Sequence, residues 1–295
     1  MKRKRSAADI IFDTANAVLM TIFCFMCIYP FYYIFVYAFS NPQKADFVVL
    51  WPVAFTLGNF RSVFLLEGIG QAAVISVLRT VTGTVSAVLV SSFFGYLMTK
   101  QEMYGRRFIY RLAVFSQYVS AGLIPTYLVM RAYGFYNTFL VYIVPGLVSV
   151  YFVILVKTYV EQIPVSLEES ARLDGAGPIR CWWAIILPLT IPILATTAVF
   201  AAVAHWNAWF DAQIYITNER LWPLQYLLQR YLSSIKEEEM LRRISGMART
   251  SITIKPTSRS LRLTITAVVT VPILFVYPWL QRYFVKGIMM GAVKG

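Results

Sequence analysis

The sequence predicts an all-α integral membrane protein with six transmembrane helices and with both termini in the cytoplasm. Hydrophobic residues make up 58% of the 295 residues, and charged residues make up only 14%. A water-soluble domain of this length needs more charge on its surface, so the apolar excess has to face lipid. Six windows reach the roughly 20 apolar residues that a helix needs to cross a bilayer.

All six windows are expected to be helical, because lipid offers no hydrogen bonds to exposed backbone groups. They are 17–39, 72–98, 108–130, 137–159, 184–204 and 262–281. The first window follows a short N-terminal tail, 1–16. This window is too long for the apolar core of a secretory signal peptide and lacks a small-residue cleavage site, so it is expected to be a retained helix. The second contains Arg79 near its outer end, where the side chain is expected to extend toward the headgroups.

The distribution of basic residues predicts the orientation. Lys and Arg cluster in segments that would face the cytoplasm, and the two short loops on the other side hold only Lys44, Arg61 and Arg131. This bias predicts a cytoplasmic loop at 160–183, an external loop at 205–261 and a cytoplasmic tail at 282–295. The external loop is also basic, but loops of this length translocate largely regardless of charge. The net charge of +13 therefore does not indicate nucleic-acid binding.

The chain lacks the residues that several classes of enzyme require. The chain has no G-x-x-x-x-G-K-[ST] sequence, so ATP hydrolysis by this chain is not expected. Its single histidine, His205, excludes an H-E-x-x-H metalloprotease, and its three cysteines are too few for a zinc site or a disulfide framework. We therefore expect a chain without catalytic residues, bound metal or cofactor.

The loop at 160–183 predicts a short cytoplasmic helix. Pro164 ends the preceding helix, and Ser166 followed by Glu169 is typical of a capping box. Gly175 is expected to end the helix with a positive φ. Such a helix suits insertion into a groove on a partner. The alternative, a helix resting on lipid, is weakened by its acidic residues, because the cytoplasmic leaflet is anionic.

Within the external loop, leucines recur at helical spacing over 221–244 and predict an amphipathic helix. Two interpretations remain open from this pattern. The helix could dock a soluble protein outside the cell, or it could cover the helical bundle as a surface cap.

The cytoplasmic loop resembles the EAA loop of binding-protein-dependent ABC importer permeases. The matching residues are Glu169-Ser170-Ala171, then Gly175, then Ile185-x-Leu187-Pro188, with Ser170 in place of the usual second alanine. Further segments are similar to carbohydrate-type permeases, namely Gly122–Tyr127, Trp206–Trp209, Pro223–Leu224 and Gly287–Gly295. The likeness extends to the second permease subunit of maltose-type importers, in the subgroup associated with complex oligosaccharides.

This resemblance implies a type I importer fold in a single transmembrane domain, 17–295, in a bacterial cytoplasmic (inner) membrane. It also implies three protein partners: a second homologous permease, an ABC ATPase dimer that binds ATP and Mg, and an extracytoplasmic solute-binding protein. The imported solute would be a carbohydrate, in particular an oligosaccharide.

The resemblance also assigns roles to residues. The positions that would couple to the ATPase are Glu168, Glu169, Ser170, Ala171, Asp174, Gly175 and Ala176. Glu169 would pair with a basic group of the ATPase, Ala171 would permit close approach, and Gly175 would permit the turn. The C-terminal residues that would reach the ATPase interface are Gly291, Val293, Lys294 and Gly295.

Three residues near the outer mouth, Trp206, Asn207 and Trp209, are candidates for the solute path or for contact with the binding protein. In the maltose-type family the principal solute site lies on the other permease, which lowers the expectation of a solute site here.

Two alternatives differ from this interpretation. A stand-alone secondary transporter or channel would need acidic residues within its spans for ion coupling, and none of the 14 acidic residues lies centrally in a predicted span. The second alternative is an ABC importer for another solute, such as phosphate or peptide. Composition does not distinguish it from a carbohydrate importer.

Overall fold

The computed structural model describes residues 7–42, 44, 50–244 and 259–274, and every regular element within these ranges is a helix. The α-helices are α1 (Ala7–Ala38), α2 (Gly58–Phe64), α3 (Ile69–Leu97), α4 (Arg106–Ser116), α5 (Leu123–Ala132), α6 (Val150–Val160), α7 (Val165–Leu173), α8 (Pro178–Cys181), α9 (Leu187–Leu189), α10 (Ile191–Asn207), α11 (Phe210–Tyr215), α12 (Leu224–Ile244) and α13 (259–274). Three 3-10 turns, Phe139–Tyr142, Val144–Gly146 and Glu219–Leu221, and one π-helical segment, Trp182–Ile186, join them. The all-α prediction is confirmed for this part of the chain.

Two of the described helices are long and apolar enough to cross a membrane unbroken. They are Asp9–Ala38, within α1, and α3. Both coincide with predicted spans. Two further segments pass the same test only as bent pairs: Phe139–Gly146 with α6, bent by 44°, and Pro178–Leu189 with α10, bent by 83°. The described residues thus hold two continuous candidate spans, or four if each bent pair is one span.

The third predicted span, 108–130, is wrong as a single helix. Helix α4 ends at Ser116 and α5 begins at Leu123. Between them, Gly122 adopts φ 82° and ψ 176°, a backbone conformation that is open to glycine and strained for other residues. Pro125 falls in the first turn of α5, where a missing backbone N–H leaves no hydrogen bond unmade. Glycine and proline therefore start a new helix inside an apolar run.

The fourth and fifth predicted spans also contain breaks. Pro145 lies in a 3-10 turn before Ser149, whose hydroxyl accepts a hydrogen bond from the Phe152 N–H and so begins α6. In the fifth span, Pro188 and Pro192 lie on either side of the 83° bend. Proline removes a backbone donor and clashes with the preceding turn, so helices bend where it falls in their interior.

The described residues form two compact units. The first comprises those up to Leu66 and those from Tyr231 to Val271. In it, the Asn59 side chain donates hydrogen bonds of 2.8 Å to the carbonyl of Ala38, the last residue of α1, and to the carbonyl of Ser40, two residues beyond it. These bonds satisfy carbonyls that have no partner within the helix.

The second unit comprises Glu67–Arg230 with residues 272–274. Here α3 packs along both α6 and α10. The packing is close at Gly95, where a Cβ would lie 3.0 Å from the Val153 carbonyl and from the Val156 side chain. The buried core beside this contact is formed by Tyr96, Val156, Val160, Cys181, Trp182 and Ile186. Helix α7 and the ion pair between Arg79 and Asp211 lie in this unit.

Helix α12 confirms the helix predicted in the loop at 205–261. It begins at Leu224 rather than Leu221, because Pro223 precedes it and Glu219–Leu221 forms a 3-10 turn. Its first N–H donates to the Ser76 hydroxyl at 2.7 Å. Leu224, Leu227 and Leu228 are buried, as their spacing predicts.

Candidate functional site

Helix α7 occupies the loop that resembles the EAA loop. It begins at Val165, directly after Pro164, and no side chain caps its first turn. The predicted capping box between Ser166 and Glu169 is therefore wrong. Ser166 lies one residue inside the helix, where its carbonyl accepts a 2.9 Å hydrogen bond from the Ser170 hydroxyl.

The C-terminal end of α7 matches the prediction. Gly175 has φ 80°, and its N–H donates to the Arg172 carbonyl at 2.9 Å. The Ala176 N–H donates to the Ala171 carbonyl, also at 2.9 Å. These two bonds form a Schellman motif. No atom lies within 4 Å of a Cβ built on Gly175, so the positive φ and not a lack of space requires glycine there.

Glu168 faces inward and fastens α7 to the end of α3. Its side chain forms an ion pair with Lys100, accepts a 2.9 Å hydrogen bond from the Tyr96 hydroxyl, and accepts a 3.2 Å bond from Arg172. The ammonium of Lys100 also lies 4.1 Å from the centre of the Tyr96 ring. Only 9% of Glu168 is exposed. The structure thus gives Glu168 internal partners, although the resemblance grouped it with the docking residues.

Burial by itself would raise the pKa of Glu168, because it disfavours the charged carboxylate. The hydrogen bonds from Lys100 and Tyr96 and the positive charges of Lys100 and Arg172 outweigh burial and lower the pKa below its ordinary value of 4.5. Glu168 is therefore ionised at neutral pH, and its contact with α3 is charge-assisted.

The alanines of the motif also face the helical bundle. Ala171 and Ala176 pack against the core formed around Tyr96 and Trp182. A small side chain at these positions lets α7 lie close to the bundle itself. The resemblance assigned this close approach to the contact between Ala171 and an ATPase, and the structure shows it within the chain.

The opposite side of α7 is exposed. Glu169, Ser170 and Asp174 face solvent. So do two apolar side chains, Val165 at 69% and Leu173 at 90% exposure. Val165, Glu169 and Leu173 follow one another at a spacing of four, so they share one face of the helix. Neither apolar residue is among the predicted coupling positions, although their spacing of four from Glu169 is visible in the sequence. An apolar pair flanking an acidic residue is suited to a protein groove.

A second cluster of charges lies where α3 meets the segment after α10. Arg79 is only 2% exposed and forms an ion pair with Asp211. It also donates a 3.0 Å hydrogen bond to the Ala208 carbonyl and lies 4.4 Å above the centre of the Tyr142 ring. The expectation that Arg79 extends toward the headgroups is therefore wrong. Asp211 lies beyond the predicted fifth span, and no sequence pattern pairs it with Arg79.

The predicted outer-mouth residues are close to this cluster along the chain. Asn207 is exposed and donates from its amide to the Val203 carbonyl at 3.0 Å. Trp209 is partly buried, with its ring centre 5.8 Å from that of Phe210. Trp206 is also partly buried.

A cavity of about 460 Å³ opens beside the Arg79–Asp211 pair. Helices α3, α5, α6, α10 and α11 and the 3-10 turns before α6 contribute to its wall, which includes His205, Tyr142 and Tyr215. Trp206, Asn207 and Trp209 are not part of that wall. His205 is held against α3, since a Cβ on Gly83 would lie 2.5 Å from the imidazole.

The C-terminal residues predicted to reach the ATPase interface, Gly291–Gly295, lie outside the described residues. Within the described ranges, no group of three or more His, Cys, Asp or Glu side chains is arranged to hold a metal ion.

Comparison with known proteins identifies the family. The model of the binding-protein-dependent transport system inner membrane component matches residues 87–290. The chain therefore belongs to this family, as the EAA-like loop indicated. Members of this family are inner membrane components of binding-protein-dependent transport systems.

Individual relatives align with most of the chain. A polygalacturonan/rhamnogalacturonan transport system permease of Bacillus subtilis is 31% identical over 289 residues, which are 97% of this chain and 99% of the relative. An arabinooligosaccharide transport system permease of Halalkalibacterium halodurans is 27% identical over 83% of this chain and 81% of the relative.

A solved structure shares the fold. One chain of a bacterial ABC transporter involved in the import of the acidic polysaccharide alginate superposes with a TM-score of 0.84 and 28% identity, over 96% of this chain and 100% of that chain. The chain thus has the fold of an ABC transporter permease.

Proposed function

We propose that this chain is one of two permease subunits of an ATP-driven importer for oligosaccharides. Membership of a binding-protein-dependent transport family supports the importer class. Relatives named for polygalacturonan, rhamnogalacturonan and arabinooligosaccharides, and the fold shared with an alginate importer, support the solute class. The chain supplies a membrane path, and a separate ATPase binds ATP and Mg and supplies the energy.

The proposal includes six membrane crossings with both termini in the cytoplasm. The crossings are α1, α3, the α4–α5 segment, 139–160, 178–207 and the segment that begins with α13. Neither α4 nor α5 has a buried residue, which supports a position against lipid or the second permease. The basic residues of the short loops support the orientation. The crossings lie in a bacterial cytoplasmic membrane.

Helix α7 docks the ATPase. The observation that carries this proposal is that one face of α7 is exposed while the other packs against the helical bundle. Glu169 and the exposed apolar pair Val165 and Leu173 form the docking face. Glu168 and Ala171 hold the opposite side against the bundle. Movement of the ATPase would then reach α3 through the Glu168–Lys100 contact. Glu168 is a positioning residue, and Glu169 is the residue that meets the partner.

The remaining partners bind elsewhere on the chain. The loop at 205–261, which includes Trp206 and Trp209, contacts the solute-binding protein from outside. The C-terminal residues Gly291, Val293, Lys294 and Gly295 extend the ATPase contact from inside. Both assignments follow from the family resemblance.

The test is uptake by the reconstituted complex. The chain, its neighbouring permease, the ATPase and the binding protein are placed in liposomes and offered labelled oligogalacturonides and arabinooligosaccharides. We expect uptake of at least one of them, dependent on internal ATP and on the binding protein. Uptake by the chain alone, driven by an ion gradient, would instead support the secondary-transporter alternative.

A further inference from the structure

Helix α4 carries two arginines that the docking role of α7 does not use. Arg107 and Arg111 lie four residues apart, so their side chains share one face of the helix. Both are exposed. Among the residues that the structure describes, neither guanidinium has a hydrogen-bond or ion-pair partner. The pair therefore presents two positive charges to the surroundings of α4.

A different side of α4 holds the helix against the chain. Arg106 donates from its guanidinium to two carbonyls just after the end of α3, at 2.9 and 3.3 Å. Tyr110 lies one turn later, and the Lys157 ammonium of α6 is 5.1 Å from the centre of its ring. Helical residues advance by about 100° each, so the two exposed arginines lie about 100° around the helix from this attached side.

An apolar stripe adjoins the exposed arginines. Phe108, Leu112 and Phe115 are exposed and follow one another at spacings of four and three, so they share one face of α4. Phe115 lies four residues after Arg111, which places the stripe next to the guanidinium. A helix with arginines beside phenylalanine and leucine suits the boundary between lipid headgroups and acyl chains.

Carboxylates of the second unit do not compensate these two charges. Five acidic residues of the unit fall in segments that are predicted to be cytoplasmic. Glu102, Glu161 and Glu168 each form an ion pair with another cation. Glu169 and Asp174 lie at α7, and within the described ranges neither forms an ion pair with α4. A counter-charge for α4 therefore has to come from outside this unit.

We infer that Arg107 and Arg111 bind the headgroup of an anionic phospholipid at the cytoplasmic end of α4, with the acyl chains against the apolar stripe. Charge complementarity favours a lipid, because the cytoplasmic leaflet is anionic. A second permease would itself carry an excess of Lys and Arg on that side. Arginine also suits a phosphate, which it can bind through two parallel N–H donors. The inference uses the proposed orientation of the chain and does not depend on the imported solute.

Competition between two lipids tests the inference on the complex of the chain with its neighbouring permease and ATPase. The complex is purified in detergent and mixed with equal amounts of phosphatidylglycerol, which is anionic, and phosphatidylethanolamine, which has no net charge. Native mass spectrometry then measures the ratio of the two lipids that the complex retains. We expect the wild type to retain phosphatidylglycerol in preference.

Single substitutions locate the site. Arg107→Gln and Arg111→Gln should each lower the preference for phosphatidylglycerol by about fivefold, which is the contribution of one arginine near an anionic surface. Arg180→Gln is the matched control, because Arg180 is an exposed arginine of α8 in a segment that is also predicted to be cytoplasmic. This control should retain the two lipids in the same ratio as the wild type.

Four results would overturn the inference. Equal retention of the two lipids by the wild type would show that headgroup charge is not recognised. An unchanged ratio in both α4 variants would place the lipid elsewhere. An equal fall in Arg180→Gln would indicate a general effect of cytoplasmic charge. Loss of the second permease from either α4 variant would show that this face belongs to a subunit interface. Because the measurement transports no sugar, a failure of the lipid site and a failure of the proposed function remain distinguishable.

Discussion

Two neighbouring glutamates on α7 have opposite surroundings. Glu168 points into the chain, where Tyr96, Lys100 and Arg172 hold it, and Glu169 faces solvent. Successive helical residues project in directions about 100° apart, so adjacent positions readily fall on different sides. The motif predicted that this segment matters, but it did not separate the two roles. Arg172 is the i,i+4 neighbour of Glu168 on α7. Tyr96 in α3 and Lys100 just after it lie about 70 residues earlier in the chain, and no local pattern connects them to Glu168.

Removing the charge of Glu168 should destabilise the chain. Glu168→Gln leaves Lys100 without its buried counter-charge, and we expect the free energy of unfolding to fall by about 1–3 kcal/mol. Glu161→Gln is the matched control, because Glu161 pairs with Lys157 at an exposed site where such pairs contribute roughly 0.3–0.5 kcal/mol. Thermal unfolding of the purified protein measures both. Additive effects of Glu168→Gln and Lys100→Met in the double variant would show that the two residues do not interact.

The same contact predicts a dependence of stability on pH. The pKa of Glu168 is lowered in the folded chain, so its stabilising contribution is complete above the ordinary value of 4.5 and is lost as the pH falls through the lowered pKa. The difference in melting temperature between the wild type and Glu168→Gln should stay constant from neutral pH to about pH 5 and shrink at lower pH. A difference that shrinks already between pH 8 and 6 would mean that another group titrates at this contact.

At the scale of elements, apolar windows located the helices and missed their breaks. The windows located the helices α1 and α3 because each is a single unbroken helix. The breaks at Gly122 and beside Pro188 and Pro192 depend on local backbone geometry, to which mean hydropathy is insensitive. The end of α7 was predictable, since Gly175 is a residue type with a specific conformational role.

The two glycines after α7 provide a matched pair for testing that role. Gly175 has φ 80°, whereas Gly177 has φ −71°, and a Cβ would meet no atom within 4 Å at either position. Gly175→Ala should therefore destabilise the end of α7 by roughly 1–2 kcal/mol, the cost of a left-handed conformation for an L-residue. Gly177→Ala should have no such cost. Melting temperatures and ATP-dependent uptake check both variants, and equal behaviour of the two would exclude a conformational role for Gly175.

For the molecule as a whole, the basic residues determine the expected topology. This topology places α7 in the cytoplasm and α12 outside, although both belong to polar segments between apolar runs. The orientation can be predicted from the sequence alone, because it depends on the numbers of Lys and Arg in the short loops. The family resemblance supplies the partners, and the topology predicts the side of the membrane on which each would bind.

Labelling of single cysteines tests the topology. Ser234 and Asp174 are both exposed, so a cysteine at either position can react. In a chain without its native cysteines, Ser234→Cys should react with an impermeant maleimide in intact cells, and Asp174→Cys should react only after the cells are opened. Cys181 is unsuitable as the inside reporter because it is buried. The opposite pattern of labelling would invert the proposed orientation.

Co-purification tests whether Glu169 on the exposed face of α7 docks a separate ATPase. The chain is solubilised together with its neighbouring permease and ATPase, as wild type, as Glu169→Lys and as Glu161→Lys. Glu161→Lys makes the same charge change at an exposed residue of this loop that lies off α7. We predict that the ATPase stays with the wild type and with Glu161→Lys and is lost from Glu169→Lys. Retention of the ATPase by Glu169→Lys would show that Glu169 does not dock it.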